Sequence, residues 1–68
     1  MFGRHLREAR KLAGLTQEQL AHKAKLDRTY ISLLERDLRS PTLKIFFRIC
    51  QVLGVRPSDL VTRMESKH

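Results

Sequence analysis

The stretch GLTQEQLA at residues 14–21, followed by DRTYISLLER at residues 27–36, decides the fold. Thr16, with Gln19 three residues later, is the capping-box pattern that begins a helix. Asp27 is a favoured N-cap residue and predicts the start of a second helix. A short turn separates the two predicted helices. This order of elements is the helix-turn-helix layout.

The second of these helices is predicted to have two different faces, because successive residues turn by about 100°. One side carries Asp27, Ile31, Leu34 and Glu35. The opposite side carries Thr29, Ser32, Leu33 and Arg36, with Arg28 at its edge. The mostly polar outer side is the candidate functional face, because an α-helix fits the major groove of DNA, where side chains read base edges.

Apolar spacing predicts one helix before this pair, from about Phe2 to Ala13. Its apolar stripe consists of Phe2, Leu6, Ala9 and Ala13. Three basic residues lie off that stripe, namely Arg4, Arg7 and Lys11. Gly14 follows the last turn, where a left-handed residue is common.

Two further helices are predicted after the pair, and no segment has the alternation of a strand. Thr42 can cap the fourth helix, which ends at Gly54, and its predicted core stripe is Leu43, Phe46, Cys50 and Leu53. Pro57 is a good first residue for the fifth helix, although Arg56 is then a poor N-cap. Its apolar side carries Leu60, Val61 and Met64. The fold class is therefore all-α, a compact five-helix bundle forming one domain over residues 1–68.

Charge favours a polyanionic partner. Fourteen Lys and Arg face seven Asp and Glu, giving a formal net charge of +7, which suits nucleic acid. A single cysteine, Cys50, excludes an intrachain disulfide, and His5, His22 and His68 show no metal-ligand spacing. The N-terminus does not resemble a signal peptide, and no apolar run approaches membrane-spanning length. We therefore expect a cytoplasmic protein without metal, cofactor, small-molecule ligand, membrane contact or enzymatic activity.

Across nearly its whole length the sequence resembles the Cro/phage-repressor type of helix-turn-helix domain, the XRE family. The matching positions are Arg10, residues 14–17, 20–21, 30–32, 35–36 and 39–43, then Ile49, Leu53, Val55, Pro57 and Leu60. Residues 26–32 also resemble the controller proteins of restriction–modification systems. The sequence departs from the family at Lys25, where the turn usually has glycine, and at Asp37, where Gly or Asn is common.

The resemblance implies a five-helix lambda-repressor-like fold, homodimerisation and a palindromic double-stranded DNA operator. It also implies a partly buried ion pair between Arg10 and Glu35. The candidate base-contacting residues are Arg28, Thr29, Ser32 and Leu33. The candidate phosphate-contacting residues are Gln17, Arg36, Arg39, Ser40, Thr42 and Lys44.

The predicted dimer interface comprises Val52, Val61 and Met64, because the last two helices are more apolar than one core stripe requires. A second hypothesis assigns the same fold to protein interaction, as in an antitoxin or an assembly subunit. RNA binding is less favoured, because aromatic platforms for stacked bases are missing. The operator sequence, and whether the protein represses or activates, stay open.

Overall fold

The computed structural model describes residues 2–66 of the chain. Within this range lie five α-helices: α1 (Phe2–Leu12), α2 (Gln17–Ala24), α3 (Arg28–Glu35), α4 (Leu43–Leu53) and α5 (Pro57–Glu65). The all-helical fold expected from the sequence is confirmed, and residues 2–66 contain no strand. The predicted domain also includes Met1, Lys67 and His68, which lie outside the described residues.

Short polar side chains begin two of the helices. The hydroxyl oxygen of Thr16 accepts a hydrogen bond from the Gln19 N–H at 3.0 Å, and the Gln19 side-chain oxygen accepts one from the Thr16 N–H at 2.9 Å. The Thr42 hydroxyl oxygen accepts from the Ile45 N–H at 3.2 Å and caps α4. Asp27 occupies the N-cap position of α3, but its side chain makes no capping hydrogen bond.

The turn between α2 and α3 passes through a left-handed residue. Lys25 has φ = 59° there, which costs a non-glycine residue roughly 1–2 kcal/mol. Two backbone hydrogen bonds close the turn, from the Leu26 N–H to the Ala21 carbonyl at 2.8 Å and from the Lys25 N–H to the His22 carbonyl. Arg48 of α4 also donates to the Ala24 carbonyl at 3.3 Å. These contacts hold the turn in the conformation that a glycine would adopt without strain.

The core lies where the first four helices meet. Its fully buried side chains are Leu6, Leu20, Ile31, Leu34, Ile49 and Cys50. Leu60 attaches α5 to this core and is only 2% exposed. No helix within residues 2–66 has the length and apolar character needed to cross a bilayer.

The predicted core stripes need correction in α1 and α4. Ala13 is exposed, because α1 ends at Leu12 and the chain turns away. Leu43 is 68% exposed, and Phe46 is half-buried with its ring edge on Phe2, the centroids being 5.9 Å apart. Ile49 takes the buried position instead. Helix α4 thus buries its C-terminal half in the core, while its first turn contacts the core only through the half-buried Ile45.

Candidate nucleic-acid interface

The outer side of α3 is available to a partner. Arg28 and Thr29 are exposed, and Ser32 and Leu33 are half-buried. We call these four residues the reading surface. Within residues 2–66, none of their side chains makes a hydrogen bond or an ion pair. Because Ile31 and Leu34 on the other side of α3 are completely buried, the helix is fixed in place with this surface facing solvent.

A buried carboxylate fixes α3 relative to the two preceding helices. The Glu35 side chain is 0% exposed and accepts two hydrogen bonds from Arg10, from Nε at 2.6 Å and from the terminal guanidinium nitrogen at 3.1 Å. Arg10 also donates to the Leu15 carbonyl at 2.9 Å. Paired charges of this kind need both partners, since one alone leaves an uncompensated buried charge. The ion pair that the family resemblance implies is therefore present and links α1 to α3.

Gln17 takes part in the same network. Its side-chain nitrogen donates to Glu35 Oε1 at 3.0 Å, so the first residue of α2 is tied to the last residue of α3. Sequence reasoning assigned Gln17 only a phosphate contact and missed this bond. A side-chain amide carries two N–H donors, so one remains available. The backbone N–H groups of Gln17 and Glu18 have no acceptor within residues 2–66.

Two residues that the sequence did not single out for function hold the same, C-terminal end of α3. Gly3 of α1 is buried so closely against α3 that a Cβ atom there would lie 2.3 Å from the Glu35 carbonyl oxygen. Its N–H donates to an Asp37 carboxylate oxygen at 2.9 Å. Asp37 itself has φ = 58°. A glycine inside a predicted helix was the available signal, because glycine costs about 1 kcal/mol there and so calls for a packing reason.

The remaining phosphate-contact candidates lie between the end of α3 and the first turn of α4. All of them are exposed: Arg36, Arg39, Ser40, Thr42 and Lys44. The Arg39 guanidinium carbon lies 5.8 Å from the centre of the Tyr30 ring, a cation–π contact. The hydroxyl of Thr42 is already engaged as the cap of α4. The structure therefore places these residues on one segment that follows the reading surface.

The predicted interface residues are not all brought together. Val61 and Met64 line an apolar groove of about 270 Å³ together with Phe2, Pro41, Leu43 and Phe46. Val52 does not line this groove, and it packs half-buried against the core instead. Sequence reasoning missed Phe2, Leu43 and Phe46 as groove residues, because their apolar character was assigned to the core.

Two helices joined by a tight turn, with an unpaired reading surface on the second, define a helix-turn-helix DNA-binding domain. Comparison with protein families agrees, since the helix-turn-helix family model matches residues 6–60. The chain belongs to this XRE-type family of DNA-binding transcriptional regulators.

Individual relatives include controller proteins and a biofilm regulator. Control protein C.BamHI of Bacillus amyloliquefaciens is 40% identical over 62 residues, which cover 90% of this chain and 76% of that protein. The crystal structure of the restriction–modification controller protein C.AhdI from Aeromonas hydrophila matches with a TM-score of 0.83 and 39% identity, covering 87% of this chain and 89% of that one. A third match is the structure of SinR, the master regulator for biofilm formation, in complex with DNA. Its TM-score is 0.84 at 31% identity, and the match covers 90% of this chain and 98% of that one.

Proposed function

We propose that the protein binds a palindromic operator in double-stranded DNA as a homodimer, with α3 of each subunit in the major groove. The observation that carries this proposal is the reading surface, whose side chains project from a helix that is buried on its other side. The DNA complex of the related SinR protein supports the same use of the fold.

The residues of the reading surface suit three kinds of base feature. The guanidinium of Arg28 can donate two hydrogen bonds to O6 and N7 of guanine. The hydroxyls of Thr29 and Ser32 can donate to or accept from a base edge. Leu33 offers an apolar surface to the methyl group of thymine. The four residues together can therefore distinguish one base sequence from another.

The surrounding residues would fix the protein on the DNA backbone. Arg36, Arg39, Ser40 and Lys44 follow the reading surface and can meet phosphates on one of its sides. Gln17 and the free N–H groups at the start of α2 can meet a phosphate on the other side. The Thr42 hydroxyl oxygen accepts the capping hydrogen bond from Ile45 N–H, which leaves its O–H proton free to donate to a phosphate oxygen. Such contacts set orientation and carry no sequence information.

A second copy of the chain is the proposed partner of the apolar groove around Val61 and Met64. Val61 is 41% exposed, and burying it with its neighbours would remove apolar surface from water. A two-fold dimer would place the two reading helices about 34–36 Å apart, one turn of DNA. In this role the single domain binds DNA in the cytoplasm and catalyses no reaction.

Selection from a pool of random duplexes at a stated salt concentration tests the proposal. We expect an inverted repeat to be enriched, because two identical subunits related by a two-fold axis read two identical half-sites. Arg28→Ala should then weaken binding to the selected duplex about 5- to 150-fold for each bound chain, the equivalent of about 1–3 kcal/mol, and leave binding to unrelated duplexes largely intact. Arg63→Ala on α5, which is also an exposed arginine, should change neither value.

Equal affinity of the wild-type protein for all duplexes would contradict base reading and favour the protein-interaction hypothesis. The dimer is tested separately by sedimentation equilibrium. We expect twice the chain mass of 8.0 kDa for the wild-type protein and the chain mass itself for Val61→Glu, which places a charge in the apolar groove. A wild-type monomer that also binds DNA as a monomer would exclude the two-fold model.

A further inference from the structure

One basic face of the molecule has no role in the function proposed above. Arg4, Arg7 and Lys11 are spaced by three and four residues, so they share one side of α1. All three are exposed. Their surroundings differ, and the difference singles out Lys11.

Lys11 lines a groove that reaches one residue of the reading surface, Arg28. The groove has a volume of about 530 Å³ and is lined by Lys11 from the end of α1, Gln17 from the start of α2 and Arg28 from the start of α3. Gly14 forms part of its rim, and even an added Cβ atom at this position would meet nothing within 4 Å. A phosphodiester group could therefore enter the groove beside the reading surface.

The charges around this groove favour an anion. Arg10 also lines it, but Glu35 compensates its charge through the buried ion pair. Of the remaining charged residues in the lining, Glu18 is negative and Lys11 and Arg28 are positive. Lys11 makes no ion pair or hydrogen bond through its side chain within residues 2–66. Arg7 is different, because its Nε lies 3.9 Å from Glu35 Oε1.

We propose that Lys11 binds a phosphate of the DNA backbone at this groove, which extends the contact surface from α2 and α3 to the end of α1. The proposal rests on the proposed function, since it needs DNA as the partner. A competing role for Lys11 is a favourable charge near the C-terminus of α1. That role would contribute to the stability of the fold and would leave the salt dependence of DNA binding unchanged.

Measurement of DNA binding against salt concentration tests Lys11 directly. Each phosphate neutralised by a lysine contributes about 0.9 to the slope of log Kobs against log salt, because it releases counterions from the duplex. Fluorescence anisotropy titrations of Lys11→Gln between about 50 and 200 mM salt should give a slope shallower by about 0.9 for each bound chain. At about 100 mM salt the loss of this one phosphate contact corresponds to roughly eightfold weaker binding per chain.

Lys23→Gln is the matched control, because Lys23 is an exposed lysine on α2 that does not line the groove. Its slope should equal that of the wild-type protein. The weakening by Lys11→Gln should also be similar on selected and unrelated duplexes, since a phosphate contact carries no sequence code. Thermal unfolding of both variants shows whether the fold is retained.

An unchanged slope for Lys11→Gln would overturn the proposal, and so would an equal reduction for Lys23→Gln. Failure of the Lys11 proposal is distinguishable from failure of base reading by the reading surface. A wild-type protein without sequence preference would contradict the proposed function, but the Lys11 slope could still be measured on any duplex that binds. Absence of binding to all duplexes would overturn both proposals.

Discussion

Replacing Arg10 by methionine should destabilise the protein by about 3 kcal/mol. The change removes both guanidinium hydrogen bonds to Glu35, at 2.6 and 3.1 Å, and leaves a carboxylate with no exposed surface. Breaking such a buried pair costs about 3–5 kcal/mol. We expect the lower end, because the Gln17 hydrogen bond survives and the half-exposed Arg7 lies 3.9 Å from Glu35. An exposed partner of that kind contributes less than about 1 kcal/mol.

The loss expected for Arg10→Met is large relative to the total free energy of unfolding. At about 0.05–0.15 kcal/mol per residue, a chain of 68 residues has a stability of roughly 3–10 kcal/mol. Urea denaturation followed by circular dichroism measures the change. With a slope near 1 kcal/mol/M, typical of a small domain, the midpoint should fall by about 3 M.

The double variant Arg10→Met/Glu35→Leu supplies the control. Replacing both members of a buried pair by apolar residues is often neutral or stabilising, so the double variant should be more stable than Arg10→Met alone. The reasoning is refuted if Arg10→Met costs less than about 1 kcal/mol, the value of an exposed pair. It is also refuted if the second substitution adds to the loss.

Three further predictions concern other positions. Gly3→Ala should destabilise the protein by at least about 1–3 kcal/mol, because the new methyl group would lie 2.3 Å from the Glu35 carbonyl oxygen; an unchanged urea midpoint would contradict the close packing. Lys25→Gly should raise the urea midpoint by the equivalent of up to about 1 kcal/mol, because relief of the left-handed strain at φ = 59° exceeds the entropy cost of glycine; a lower midpoint would show that the turn is not strained. Burial raises the pKa of the Cys50 thiol, so the thiol ionises first in the unfolded chain; the contribution of Cys50 to stability should be constant below the ordinary thiol pKa and be lost as the pH rises above it. Thermal melts between about pH 7.5 and 9.5 check this, and Cys50→Ala should remove that part of the decline.

The elements of the fold could be predicted because their signals are local. The cap at Thr16, the cap at Thr42 and the first residue of α5 were all assigned correctly. The resemblance marked Lys25 as a position where the family usually has glycine, and the structure has a left-handed residue there. Each of these features depends on the chemistry of a few neighbouring residues, so the sequence alone is sufficient to find it.

The errors concern how helices meet. Spacing along α4 indicated an apolar stripe but could not show which part of the helix reaches the core, so Leu43 was placed inside and Ile49 was overlooked. The bond from Gln17 to Glu35 and the close packing of Gly3 likewise join residues far apart in the chain. Such contacts depend on interhelical distances, which periodicity does not encode. The base-contacting and phosphate-contacting residues stay predictions.

The burial of Glu35 places the residues that stabilise the fold apart from the residues proposed to contact DNA bases. Its bonds to Arg10 and Gln17 hold three helices together from within, whereas the side chains of Arg28 and Thr29 lie on the solvent side and make no hydrogen bond or ion pair within residues 2–66. Randomised libraries at the outward positions should consequently yield many folded proteins with altered operator preference. Libraries at the inward positions Arg10, Gln17 and Glu35 should yield few soluble members. The fold is therefore suited to receiving new DNA sequence preferences at its outward positions alone.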